Sequence, residues 1–359
     1  MLRFALLFRL SNKWDMYLYF KKYLQLSMDK LFKYIFLVIF FTVFACSKED
    51  FMSQPSMPSD FLELKSVLDI RIFGDEIWFR SERLCDTCRI STNNLSTPMI
   101  SQLSRMKGSQ FRFDESKPML IPVADNHGVL HTATQNEILK INDIRDYTSV
   151  LKTGDFTFTQ FVFDKNNGIW MGGKKGIAYW DGSKTITYTS DNSLTDTDVT
   201  HGMAVDHTGN VWIPLDFKKG LLKITDGNWE VIPYHKIPGL NTDSYLFNPL
   251  VDKDNRIWFT AFNSSNPTNV ICFDGKNWLT EFPGILKNGE LFVDSQGTIW
   301  RLNHIIDTSS TMKFTLQFLH NDTWKNYDVS DVTHLILSLD ANSEKVYIGT
   351  SAGLIIKNR

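Results

Sequence analysis

Short runs of alternating apolar and polar residues, separated by Asp, Asn and Gly, recur from about residue 61 to the last residue. One unit contains four such runs, at His201–Val205, Asn210–Ile213, Gly220–Ile224 and Trp229–Ile232. Alternation over so few residues predicts β-strands, and the intervening Asp, Asn and Gly are the residues that tight turns need. The pattern therefore predicts antiparallel units of four strands and no helix after Cys46.

An internal repeat divides this region into units. Each copy has an Asp-led turn with Gly or Asn, then an aliphatic residue and a Trp or its equivalent. The Trp-equivalent positions are Trp78, Leu130, Trp170, Trp212, Trp258, Trp300 and Tyr347, and clear Asp-led copies begin at Asp164, Asp206, Asp252 and Asp294. Four-stranded repeats with the spacing of these Trp-equivalent positions are typical of the blades of a β-propeller, in which the Trp rings pack between blades.

We therefore predict an all-β fold, a seven-bladed β-propeller spanning residues 61–359 and acting as a monomer. The seventh unit supplies only three strands, whereas Phe61–Lys65 precede the first unit without a blade of their own. These residues are predicted to complete the last blade, which would remove an exposed sheet edge.

The N-terminal region has the order of an export signal. Basic residues follow Met28, an apolar run covers Tyr34–Ala45, and Cys46 comes next. The run is shorter than the roughly 20 residues that span a bilayer. The sequence Val43-Phe44-Ala45-Cys46 resembles the lipobox of bacterial lipoproteins, although Phe44 is bulkier than usual there. We predict a lipoprotein signal peptide at 28–45 with lipidation of Cys46; an ordinary signal peptide is the alternative.

The segments around this signal also carry predictions. Residues 1–27 are interpreted as a gene-model extension, or alternatively as an amphipathic helix around Trp14–Leu26. Residues 46–60 form a tether, in which Glu49-Asp50 resembles a surface-export tag or is simply solvated. Seven basic and two acidic residues lie in 1–45, against 38 and 40 in the whole chain. The exported part is therefore acidic, and we expect no nucleic-acid partner.

Cysteine usage indicates little chemistry. Cys85 and Cys88 have the spacing of half a zinc site, but no second pair follows. In an oxidising compartment a local disulfide between them is the preferred interpretation, with a redox pair as the alternative. Cys272 is predicted to be a buried strand residue. No metal site and no cofactor are expected.

The repeats resemble a known family. Asp164 through Gly173, followed by Gly176 to Gly182, is similar to the two-component regulator propeller repeat, and Tyr347 to Leu354 repeats the pattern. The resemblance is strong over 164–359 and weak over 61–163. In that family such propellers usually form the periplasmic sensing part of hybrid sensor kinases. The resemblance implies the propeller fold and a binding role, and direct signalling is not expected.

Candidate binding residues lie on the face where the second-to-third strand loops meet the loops that enter each blade, because loops on a rigid frame commonly carry function. These loops vary in length and are rich in amides, cations and aromatic rings. The candidates are Lys174, Lys218, Tyr245, Asn263, Arg301 and His304. The three cations suit carboxylated sugars or an acidic partner.

These features predict an envelope-anchored binding protein without catalysis of its own. It would be held at the outer membrane by its lipid, facing the periplasm or the cell surface, and would bind a carbohydrate, a peptide or an envelope protein. The alternative is a lyase of the polysaccharide or streptogramin type, because such seven-bladed lyases have similar repeats. Its candidate histidines are His201, His235, His304 and His334, but the acidic residue that the lyase pattern requires two positions from the catalytic His is missing after His201 and after His304.

Overall fold

Seven antiparallel sheets follow one another along the chain, as the repeats predict. The computed structural model describes residues 66–84, 99–108, 110–116, 119–174, 176–189, 199, 201–215, 219–262, 269–279, 290–306 and 312–359. Within these ranges six sheets have four strands and the seventh has three. The sheets are the blades of a seven-bladed β-propeller.

The strands of the first four blades have the following bounds. Blade 1 contains β1 (Ser66–Phe73), β2 (Glu76–Leu84), β3 (Met99–Lys107) and β4 (Gln110–Asp114). Blade 2 contains β5 (Val123–Ala124), β6 (Leu130–Ala133), β7 (Glu137–Asp143) and β8 (Asp146–Lys152). Blade 3 contains β9 (Gln160–Phe163), β10 (Ile169–Gly173), β11 (Gly176–Trp180) and β12 (Thr185–Tyr188). Blade 4 contains β13 (Ala204–Val205), β14 (Val211–Pro214), β15 (Leu221–Thr225) and β16 (Asn228–Ile232).

The remaining three blades complete the ring. Blade 5 contains β17 (Tyr245–Val251), β18 (Ile257–Phe262), β19 (Asn269–Phe273) and β20 (Trp278–Leu279). Blade 6 contains β21 (Glu290–Val293), β22 (Ile299–Ile306), β23 (Met312–His320) and β24 (Thr323–Tyr327). Blade 7 contains β25 (Ile336–Ala341), β26 (Lys345–Thr350) and β27 (Gly353–Asn358).

Each blade runs outward from its first strand. The first strands of blades 4, 5, 6, 7 and 1 contact one another in that order, so they line the centre of the ring. Second strands are the most buried, and every residue of β10 is buried. Fourth strands such as β16 alternate between exposed and half-buried residues. The period-two pattern in the sequence therefore reports which side of each strand faces a neighbouring blade.

The repeated Trp residues pack between blades, as predicted. Trp212 of blade 4 is buried against Leu246 and Phe259 of blade 5, and Trp258 of blade 5 against Leu291 of blade 6. Trp78, Trp212, Trp258 and Trp300 are each 1 % exposed or less. Large flat rings in these positions bury much apolar area at each blade junction.

The ring closes where blade 1 meets blade 7. Val67 and Ile70 of β1 form one apolar cluster with Tyr347 of β26 and Leu354 of β27. The Ser338 hydroxyl donates to the Val67 carbonyl over 3.0 Å, which ties β25 to β1. The strand predicted at Phe61–Lys65 lies outside the described residues, so its place in blade 7 stays a prediction.

One buried carboxylate joins three blades at this junction. Asp340 is 1 % exposed, and its oxygens accept backbone N–H groups of Ile72 (2.8 Å), Ser295 (2.6 Å) and Ala341 (2.7 Å). Burial raises the pKa of Asp340 to about 6, although Arg71 and the three N–H groups oppose the rise. The closure of the ring therefore depends on polar contacts as well as on apolar packing.

The structure departs from the sequence interpretation at the entry to blade 4. Only Ala204–Val205 of the predicted strand His201–Val205 is extended and paired. Gly202 has φ +107°, and a Cβ there would lie 2.5 Å from the Pro249 ring, so the chain turns past blade 5 before the strand begins. Within the part of the chain that the structure describes, a short 3-10 helix occupies Tyr234–Lys236. In the described ranges no helix has the length and apolar character needed to cross a bilayer.

Candidate functional site

The propeller has two faces with different chemistry. We call the face with the turns between first and second strands, and between third and fourth strands, the turn face. We call the opposite face, with the second-to-third strand loops and the connections into each blade, the loop face. Residues 85–98, 190–198, 216–218, 263–268, 280–289 and 307–311 lie outside the described residues.

The Asp residues of the turn face are structural groups. Asp206 accepts the backbone N–H groups of Thr208 and Asn210 with Oδ1, and its Oδ2 accepts the indole N–H of Trp212 over 2.9 Å. Burial alone would raise the pKa of Asp206, but these hydrogen bonds outweigh burial and hold the pKa below its usual value. The Asp-led turn thus folds the strand pair and fixes the Trp ring at the same time.

The same arrangement recurs in blades 5 and 6. Asp252 accepts the indole N–H of Trp258, and Asp294 accepts that of Trp300, both over 2.9 Å. Both carboxylates are buried. In the described part of the chain no three His, Cys, Asp or Glu side chains are grouped closely enough to hold a metal ion.

Aromatic rings gather on the loop face at the first strand of blade 5. Tyr245 begins β17 and is half-buried, and its ring centroid lies 5.1 Å from Phe262, 5.9 Å from Phe247 and 6.0 Å from His201. We call these four residues the Tyr245 cluster. Because first strands line the centre of the ring, the cluster lies at the mouth of the central channel.

The segment entering blade 4 connects this cluster to Lys174. Val199 donates its backbone N–H to the Gly173 carbonyl over 2.9 Å, and Asn248 donates its own to the His201 carbonyl over 2.7 Å. Lys174 follows Gly173 in the turn between β10 and β11 and is exposed. Two of the six predicted binding residues, Lys174 and Tyr245, are therefore both on the loop face.

Arg301 does not occupy the exposed rim position that the sequence suggested. It lies inside β22, which continues to Ile306 instead of ending at Trp300. Its side chain is 5 % exposed, donates from Nε to Gln317 over 2.6 Å, and lies 4.3 Å from the ring centroid of Trp324. Burial lowers its pKa. Arg301 is therefore a packing residue of blade 6. The prediction of an exposed loop position was wrong because β22 continues beyond the apolar residues that predicted it.

The other predicted groups are placed only in part. His304 also lies in β22, opposite Phe314, and is a strand residue instead of a loop residue. Lys218, Asn263, Cys85, Cys88 and Cys46 lie outside the described residues. Of the lyase candidates, His201 is half-buried, whereas His235 and His334 are exposed. Cys272 is fully buried in β19, as predicted, and burial raises its pKa.

No protein-family profile matches the sequence. Curated protein sequences also give no match.

Solved structures share the fold at low sequence identity. The extracellular domain of the hybrid two component system BT3049 from B. thetaiotaomicron is 17 % identical with a TM-score of 0.59, covering 84 % of this chain and 40 % of that one. Streptogramin B lyase is 13 % identical with a TM-score of 0.55, covering 83 % and 95 %. YCF48, solved with a D1 peptide bound, is 12 % identical with a TM-score of 0.50, covering 86 % and 95 %.

These similarities confirm the propeller predicted from the repeats. The present chain spans about 40 % of the length of the BT3049 domain. At such identities the likeness concerns the fold, and the residues of the binding surface have to be judged on their own contacts.

Proposed function

We propose that the protein is an exported lipoprotein, anchored in the bacterial envelope by a lipid on Cys46, whose propeller binds a ligand and catalyses no reaction. The export signal and the lipobox-like sequence support the anchor. The propeller of an extracellular regulator domain and a propeller solved with a bound peptide are compatible with a binding role outside the cytoplasm.

The Tyr245 cluster carries the proposal of ligand binding. Its rings offer apolar and hydrogen-bonding surface at the mouth of the channel, where loops from several blades meet. Exposed Lys174 adds a positive charge on the same face, in a domain that is acidic once the export signal is removed. This combination suits a carboxylated sugar or an acidic peptide, with an envelope protein as the third possibility.

Replacing Tyr245 by Ala is expected to abolish this binding. The purified protein is applied to an array of acidic glycans and to a library of acidic peptides. We expect retention of the wild-type protein on at least one probe, at least a tenfold loss for Tyr245→Ala, and a smaller loss for Lys174→Ala. Lys276→Ala is the matched control, because Lys276 is also an exposed lysine but lies on the turn face. Undiminished retention of Tyr245→Ala would place the ligand elsewhere.

Anchoring is tested separately through Cys46. Replacing Cys46 by Ser removes the thiol that would receive the lipid, and we expect the protein to move from the membrane fraction to the soluble fraction. Lipoproteins carry several acyl chains, so the wild-type protein should resist extraction with salt. Membrane retention of Cys46→Ser at the wild-type level contradicts the lipid anchor and leaves the binding proposal unaffected.

A further inference from the structure

A cleft of about 220 Å³ opens on the turn face between blades 3 and 4. Four aromatic residues dominate its lining: Trp170, Tyr179, Tyr188 and Trp229. The ring centroids of Tyr188 and Trp229 are 4.5 Å apart, and Trp170 lies 4.4 Å from Tyr179 and 6.2 Å from Trp229. We call these four residues the aromatic cleft.

At other blade junctions, both the indole N–H and the ring face of the corresponding Trp already have a partner. The indole N–H groups of Trp212, Trp258 and Trp300 each donate to the Asp of the turn, and that of Trp78 donates to Glu76 over 3.1 Å. A cation also covers each ring: the pairs are Arg105 on Trp78, Lys223 on Trp212, Arg256 on Trp258 and Arg359 on Trp300, at 4.9–5.8 Å. Both the face and the N–H of these rings are therefore occupied.

Trp170 departs from both features among the described residues. The partner opposite Trp170 on the next strand is Tyr179, whereas Trp212 has Lys223 and Trp78 has Arg105 at that position. The Tyr179 hydroxyl donates to Asp164 Oδ2 over 2.9 Å and so takes the acceptor that the Trp N–H uses in blades 4, 5 and 6. A tyrosine has replaced the covering cation and has also released the indole N–H.

Gly168 makes this exchange possible. A Cβ at position 168 would lie 2.3 Å from the Tyr179 hydroxyl oxygen, so any larger residue would displace it. Blades 4, 5 and 6 have Asn210, Arg256 and Thr298 at the corresponding place after their Asp. The glycine, the tyrosine and the released indole form one coherent local change, confined to blade 3.

The cleft therefore offers hydrogen-bond donors for which the described residues provide no acceptor. Within the described residues, the indole N–H groups of Trp170 and Trp229 and the Tyr188 hydroxyl have no hydrogen-bond partner. Trp170 lines the cleft and is 6 % exposed, and its indole nitrogen is not one of the fully buried unpartnered polar atoms of the described residues. A ligand oxygen in the cleft would give these donors an acceptor that the described residues do not provide.

The charges at the mouth of the cleft balance one another. Lys165 donates to Asp226 over 2.9 Å and bridges blade 3 to blade 4, and its aliphatic stem lies over Gly209. Asp164 remains as a carboxylate at the base. No lining cation is left to pair with an anionic ligand, so an uncharged ligand fits this site better than an acidic one.

We propose that the aromatic cleft binds one neutral hexopyranose unit of a glycan. The ring C–H faces of the sugar would pack on the rings of Trp229 and Tyr188, and its hydroxyl oxygens would accept from the Trp170 and Trp229 N–H groups. Pockets for drug-sized ligands measure roughly 300–1,000 Å³, so a cleft of about 220 Å³ suits a single sugar ring. This site lies on the opposite face from the Tyr245 cluster and does not depend on it.

Tryptophan fluorescence and saturation-transfer NMR test the proposal. The probes are methyl glycosides of glucose, galactose, mannose and N-acetylglucosamine, with a methyl glucuronide as the acidic comparison. We expect a saturable response to at least one neutral probe with a millimolar Kd, and at least fivefold weaker binding of the glucuronide. Failure of all four neutral probes up to about 100 mM overturns the proposal.

Three variants locate the binding in the cleft. Trp229→Ala is expected to weaken binding at least tenfold. Trp324→Ala is the matched control: Trp324 occupies the equivalent strand position in blade 6, but Arg301 covers its ring at 4.3 Å. Tyr179→Lys places a cation opposite Trp170, as Lys223 lies opposite Trp212, and it keeps the rings of Tyr188 and Trp229. We expect this variant to abolish binding as well. Equal losses in Trp229→Ala and Trp324→Ala, or full affinity in Tyr179→Lys, would contradict the assignment.

Discussion

Replacing Asp252 by Ala is expected to lower the free energy of unfolding by about 3–5 kcal/mol. Asp252 is 2 % exposed and accepts four hydrogen bonds, from two backbone N–H groups, the Trp258 indole and the Arg256 guanidinium. Alanine leaves these donors without this acceptor and removes the most buried of the three carboxylates that pair with Arg256, the others being Asp254 and Asp322. Urea denaturation followed by far-UV circular dichroism measures the loss.

The matched control is Asp125→Ala in blade 2. Asp125 occupies the same turn position but is half-buried, and among the described residues its carboxylate accepts only the backbone N–H groups of His127 and Val129. We expect a loss of about 1 kcal/mol there. If the two variants unfold at the same urea concentration, the indole and guanidinium bonds do not contribute as argued.

Replacing Gly349 by Ala is expected to destabilise the protein by about 3 kcal/mol, because the extra methyl group has no room at the junction of blades 7 and 1. A Cβ at this position would lie 2.1 Å from Ser338 Oγ and 2.6 Å from the Val67 carbonyl oxygen. The two blades would have to separate, although their contacts close the ring. Differential scanning calorimetry should show a clear fall in the melting temperature.

Two further variants test whether steric overlap of the added methyl group, and not another effect, causes the loss of stability in Gly349→Ala. Gly74→Ala tests backbone strain alone, because φ is +62° there and nothing lies within 4 Å of the added Cβ; about 1–2 kcal/mol is expected. Adding Ser338→Ala to Gly349→Ala should recover little stability, since the Val67 carbonyl belongs to the backbone and still obstructs the methyl group. A Gly349→Ala protein that melts like the wild type would refute the assigned junction.

Most of the fold could be predicted from the sequence because one motif is repeated. Each Trp or its equivalent, from Trp78 to Tyr347, lies on the second strand of its blade, so a single periodic signal fixed the number of blades. Strand ends were harder to predict. β22 extends to Ile306 because backbone pairing with β23 continues past the apolar run, and this extension placed Arg301 within a strand.

The candidate sites were predictable only in part, for physical reasons. The position of Tyr245 followed from its place before a first strand, but its proximity to His201 depends on the turn at Gly202. The aromatic cleft was missed because its signal is a difference between repeats. Aligning the repeats by register would have shown Tyr179 where Lys223 and Arg105 occur, and Gly168 where larger side chains occur.

The Asp340 carboxylate also constrains the order in which the propeller can assemble. The Ile72 N–H and its acceptor on Asp340 are 268 residues apart in sequence. During synthesis, blade 1 therefore emerges long before Asp340. Until Asp340 has been synthesised, the Ile72 amide of the inner strand lacks this acceptor. Closing so long a loop is entropically costly and slow. We expect nascent chains that end before residue 340 to hold the early blades as an open arc, the stage at which a chaperone would be most useful.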